Sequence, residues 1–220
     1  MPDSTAVRPG RLIVVPAVIT LAVTLLRLTG ELLHWSPTLF NPAAGGGAAL
    51  VGIAWLPFVF GIYFALRLAR AGQGPGPLGR AFGLVILALA IVPVAGYGAI
   101  KLGVNPQSLN ILVVFVVASI VAVPIAMRAW PGLGRVLFAY AIAARVPVVV
   151  VMLFAILGNW GTHYDVVPPG FPKMGALAKW AWIGLVPQMT IWIAYTVVIG
   201  ALVGIIAGAL VSRKLRTATA

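Results

Sequence analysis

Residues 111–127 read ILVVFVVASIVAVPIAM, seventeen positions in a row without a charge. That approaches the ~20 apolar residues an α-helix needs to cross a ~30 Å hydrocarbon core. In lipid every backbone N–H and C=O must be satisfied within the protein, so a lone apolar stretch of this length has to be helical. Five more stretches of the same kind lie at 12–30, 48–66, 81–102, 136–158 and 186–211. The chain therefore reads as an all-α integral membrane protein, a bundle of about six transmembrane helices forming a single membrane domain over residues 1–220.

Composition agrees. Hydrophobic residues make up 62% of the chain and charged residues 8%, with a mean hydropathy of +1.10. Soluble domains are about 25% charged, and a chain this poor in charge cannot cover itself in water. The net charge of +12 does not indicate nucleic-acid binding, because the basic residues sit at span ends and in short loops. Alternate loops receive them unequally. One side holds Arg8, Arg11, Arg67, Arg70, Arg80, Arg128, Arg135, Arg213, Lys214 and Arg216; the other holds Arg27, Lys101, Lys173 and Lys179. By the positive-inside rule the richer side is cytoplasmic, which puts both termini inside a cytoplasmic membrane. Arginine outnumbers lysine and Ala, Gly and Pro are abundant, which hints at a bacterial source. There is no cysteine, so disulfides, thiol catalysis and thiolate-held metals are excluded.

The first span follows a short basic tail, as a signal peptide would, but no small-x-small cleavage pattern follows it, and it reads as a retained helix. Residues 174–185, MGALAKWAWIGL, are too short to span, and their tryptophans and Lys179 suit an interfacial helix before the last span. The alternative is a lengthened, tilted last helix. Each span contains a proline: Pro16, Pro57, Pro93, Pro124, Pro147 and Pro187. The pattern suggests bent helices around a central cavity. The turns Gly76–Arg80 and Pro131–Arg135 are alike, which fits either a diverged repeat or ordinary turn chemistry.

Polar residues inside the spans carry the functional expectations. Thr20, Thr24, Arg27, Glu31 and His34 are spaced 4, 3, 4 and 3, which places them on one helical face. Such a stripe must face protein or water rather than lipid. It reads as part of a substrate or ion path, or as an Arg27–Glu31 ion pair with threonines bonded to their own backbone. Arg145 lies ~14 Å into its span, near the bilayer centre. An anionic substrate or lipid headgroup is its natural ligand, and a carbonyl freed by a neighbouring proline is the structural alternative. Glu31, His34, His163 and Asp165 have the ligand types for a zinc-like ion or the groups for carboxylate–His catalysis. Gly45–Gly47 could present N–H groups to an anion or act as a hinge. Thr196, Gly200, Gly204, Gly208 and Ser212 form a ridge of small residues on the last span, suited to close helix packing within the chain or against a second subunit. No phosphate-loop motif is present, and no cofactor is expected. Expected partners are membrane lipids, with a further copy or another membrane subunit as a second option. The leading functional expectation is a small permease-like or lipid-handling protein; the alternatives are an assembly subunit docking through the ridge and an intramembrane metal-dependent hydrolase.

Overall fold

The computed structural model describes residues 9–46 and 49–218, with side chains from residue 10 to residue 211. Asp3, Arg8, Gly47 and Ala48 lie outside the described residues, as do the side chains of Ser212, Arg213, Lys214 and Arg216. The chain folds into an all-helical bundle: α1 Pro9–Leu32, α2 Leu56–Arg70, α3 Leu78–Lys101, α4 Leu109–Ala129 and α5 Pro131–Gly158. A composite last segment follows, made of α6 Ala176–Lys179, a π-helical turn Trp180–Leu185, α7 Val186–Met189 and α8 Ile191–Ala218. Five stretches are long and apolar enough to cross a membrane: 10–32, α3, α4, α5 and 176–211. Their outward faces carry large apolar side chains, among them Val14, Val18, Leu25, Leu87, Val94, Val117, Ile120, Phe154 and Leu210, all exposed. Such faces are at home in hydrocarbon rather than in water. The protein is a multi-pass helical membrane protein.

One sequence expectation shifts and another takes a definite backbone form. The second span, expected at 48–66, is helical only from Leu56 to Arg70, 15 residues, or about 22 Å. The residues before it are drawn into a turn, with the N–H groups of Leu50 and Val51 bonded to the carbonyls of Thr38 and Leu39. Pro57 consequently sits in the first turn of α2, where its missing N–H costs nothing, rather than mid-span. Residues 174–185, read as an interfacial helix or as a lengthened last helix, are helical from Ala176 and lead into the last span. Helical backbone runs from Ala176 onward with one π-turn and a break at Thr190, whose φ/ψ is −123°/−73°. Such π-turns recur at functional sites.

Contacts between loops fix which element ends lie together. Glu31 at the end of α1 meets His163 after α5, and Gly170 lies against Gln107 between α3 and α4. We call this the upper end. At the lower end the Trp130 indole donates to the Gln73 carbonyl at 3.0 Å, joining the α4–α5 turn to the end of α2. Between them the core is densely packed. Phe64, Leu133, Leu137, Val197 and Ile205 are fully buried, and Tyr140 stacks edge-on against Phe60 and Phe64 at centroid distances of 5.3 and 5.6 Å.

The glycine ridge of α8 lies inside this core. A Cβ placed on Gly61 of α2 would stand 2.6 Å from the Gly200 carbonyl oxygen, and Gly204 sits over the Gly61 carbonyl. Gly200 and Gly208 are covered by Leu137 and Trp130. Thr196 is buried and its hydroxyl donates to the Trp192 carbonyl. The ridge brings α2 and α8 to backbone contact within one chain, as small residues allow in membranes.

Candidate functional site

α1 presents Thr20, Thr24, Arg27 and Glu31 to the protein, each at most 8% exposed, while its other faces are apolar and open. Thr20 and Thr24 donate to the carbonyls one turn back, at Pro16 and Thr20 (2.7 and 2.9 Å), and Thr20 also shares a 2.8 Å bond with the Tyr140 hydroxyl. Arg27 Nε donates to Glu31 Oε1 at 2.8 Å, and its Nη2 donates to the carbonyls of Asn41 and Gly46.

That last bond bears on the glycine run: the Gly46 N–H is bonded to the Ala43 carbonyl, and its own carbonyl faces a guanidinium rather than its N–H an anion. Gly45 and Gly46 both have positive φ, at 71° and 88°, a conformation that suits glycine. A side chain at Gly46 or Gly52 would meet the Arg27 nitrogens at about 3 Å.

Glu31 is held from three directions. Besides Arg27, it accepts the backbone N–H of His163 on Oε2 at 2.8 Å and meets His163 Nδ1 at 2.6 Å on Oε1. Burial pulls the His163 imidazole below its ordinary range, overcoming the opposing pull of Glu31. A neutral imidazole facing a carboxylate must carry its proton on Nδ1 and donate it. This clasp pins the loop 159–175 to α1. Tyr164, buried beside His163, reaches the Thr24 carbonyl with its hydroxyl, and burial raises its pKa.

Of the four residues offered for a metal or hydrolytic site, Glu31 and His163 meet, while His34 and Asp165 are engaged elsewhere. His34 has φ +53° and ends α1: its N–H bonds the Glu31 carbonyl and the Trp35 N–H bonds that of Gly30. This is the paired bonding of a left-handed helix stop, where glycine is the usual occupant. The chain leaves the helix there, so His34 falls off the stripe, and its side chain is exposed. Asp165 spends both oxygens on its own loop, accepting from the Gly161 and Thr162 N–H groups and the Thr162 hydroxyl. Among the described residues no group of three or more His, Asp or Glu is placed to hold a metal ion.

Arg145 occupies the middle of α5 and is 3% exposed. Among the described residues it takes neither a carboxylate nor a proline-freed carbonyl. Its Nη1 reaches Gln188 Oε1 at 3.3 Å, its guanidinium lies 4.8 Å over the Trp192 ring, and its Nε has no partner. Arg145 and Arg27 line a cavity of about 270 Å³ in the upper half of the bundle. The π-turn and α7 supply Trp182, Ile183, Pro187 and Gln188 to one wall, and the clasped loop supplies Tyr164, Pro168 and Phe171. Gln188, Trp192 and Tyr164 were not legible from sequence, since each meets its partner across helices with no spacing to reveal it.

Comparison of the chain with protein-family models, curated proteins and solved structures returns no match.

Proposed function

We propose that the chain is a small lipid-handling or permease-like protein of the bacterial cytoplasmic membrane, crossing it six times with both termini in the cytoplasm. The carrying observation is the cavity: about 270 Å³ within a membrane bundle, lined by two guanidinium groups together with indole, proline and aliphatic groups. Ligand pockets run from roughly 300 to 1,000 Å³, so this one suits a headgroup or small solute rather than a whole lipid. In this reading α2 is the sixth crossing, supported by its course from the upper end near Gly52 to the lower end beside Trp130. The basic side chains then fall mainly at the lower end, which is the cytoplasmic one in this reading. The subunit reading has less support, because Gly200, Gly204 and Gly208 are covered within the chain.

The test is reconstitution into liposomes, measuring in parallel the transbilayer movement of fluorescent phospholipid analogues and the uptake of small radiolabelled solutes. Wild-type protein is expected to accelerate one of these. Ile183→Trp, which fills the cavity without changing its charge, is expected to slow it at least about tenfold, the effect of ~1.4 kcal/mol. Vesicles indistinguishable from protein-free controls in both assays would overturn the proposal.

A further inference from the structure

Among the described residues Arg145 is a buried cation without a carboxylate partner. The whole sequence contains three acidic residues, Asp3, Glu31 and Asp165. Glu31 is committed to Arg27 and His163, and Asp165 to its own loop; Asp3 lies outside the described residues. Among the described residues no carboxylate pairs with Arg145, its one hydrogen bond is a long one to an amide oxygen, and its Nε faces no acceptor. A guanidinium at this depth is costly to bury, and among the described residues it is met only by Gln188 and the face of Trp192. The guanidinium fork matches the oxygens of phosphate and similar oxyanions two at a time.

Resting on the cavity reading above, we infer that the ligand carries an oxyanion head, phosphate or a phosphate ester, seated on Arg145 with Gln188 beside it. The space is headgroup-sized. At ~30 Å³ per water, 270 Å³ accommodates a phosphate with a small substituent but no acyl chains, which would extend past the aromatic wall. The same chemistry is offered by an anionic phospholipid and by free phosphate, and the experiment separates them.

Purified full-length protein in phosphatidylcholine nanodiscs is titrated in one arm with inorganic phosphate and in another, at fixed chain composition, with phosphatidic acid or phosphatidylglycerol. Tryptophan fluorescence (Trp182 and Trp192 line the cavity) and thermal stabilisation report binding. Saturable binding in either arm supports the inference and names the source. Arg145→Gln is expected to weaken it about ten- to a hundredfold, the range for a charge-assisted hydrogen bond, and Arg145→Lys to weaken it less. If Arg145→Gln does not fold, Gln188→Leu serves instead, with a smaller loss expected. Binding unchanged by these substitutions, or no preference of the wild type for inorganic phosphate or a net-anionic phospholipid over the zwitterionic phosphatidylcholine background, overturns the inference. Anion binding without lipid or solute movement would refute the proposed function and leave the site standing; movement without anion binding would do the reverse.

Discussion

Replacing Glu31 with alanine removes the acceptor for three donors at once: Arg27 Nε–H, the His163 backbone N–H and His163 Nδ1–H. Hydrogen bonds between membrane helices average ~0.6 kcal/mol and reach ~1.7 kcal/mol, so the three together give about 2–5 kcal/mol. The substitution also strands the Arg27 guanidinium, and breaking a buried pair costs ~3–5 kcal/mol in soluble proteins. The ranges meet near 3 kcal/mol, the expected loss for Glu31→Ala. Reversible unfolding in mixed micelles measures it, and proteolysis within residues 159–172 reads the released loop. His163→Ala keeps the ion pair and the backbone bond and is expected to lose only about 1–2 kcal/mol of this. The double variant Arg27→Met, Glu31→Leu removes both charges, and replacing a buried pair with apolar groups is often near neutral; it is expected to be more stable than Glu31→Ala alone. A loss below about 1 kcal/mol for Glu31→Ala, or a double variant worse than the single, would refute the clasp.

Gly61→Val, placing a Cβ 2.6 Å from the Gly200 carbonyl, is expected to cost more than about 2 kcal/mol in the same assay, whereas Gly79→Ala, with open space around it, stays within about 0.5 kcal/mol or stabilises. Equal effects of the two would show that α2 and α8 do not touch along this line. Because the folded His163 pKa is depressed, the clasp is at full strength above the unfolded value of ~6.5 and weakens as pH falls below it. Labelling of a cysteine introduced at Val166, expressed relative to a free thiol at the same pH, should therefore quicken on acidification in wild-type background and be flat with pH in His163→Gln; a relative rate that rises toward alkaline pH would contradict it.

Hydropathy made the membrane bundle legible, since each long apolar run has only one way to satisfy its backbone in lipid. The buried face of α1 was legible too, because a regular helix keeps residues three and four apart together. His34 shows where that logic stops: a left-handed residue ends the helix, and no spacing announces one when the residue is not glycine. The late start of α2 was hidden for a different reason. Gly46 and Gly52 are needed to surround Arg27, a demand made by a residue some twenty positions away. The partners of Arg145 could not be read at all, because Gln188 and Trp192 reach it from another helix; only its isolation was visible, as a charge without an obvious companion.

The packed lower half of the bundle has a consequence for the membrane that contains it. Beneath Arg145 the aromatic set Phe60, Phe64 and Tyr140, with Leu133, Leu137 and Val197, fills the cross-section down to the Trp130–Gln73 bond. A cavity above such a floor is electrically a dead end, because anything entering from above meets low-dielectric packing of the kind that closes channels by dewetting. The bundle in this conformation can thus hold a cation deep in its core without opening an ion leak beneath it.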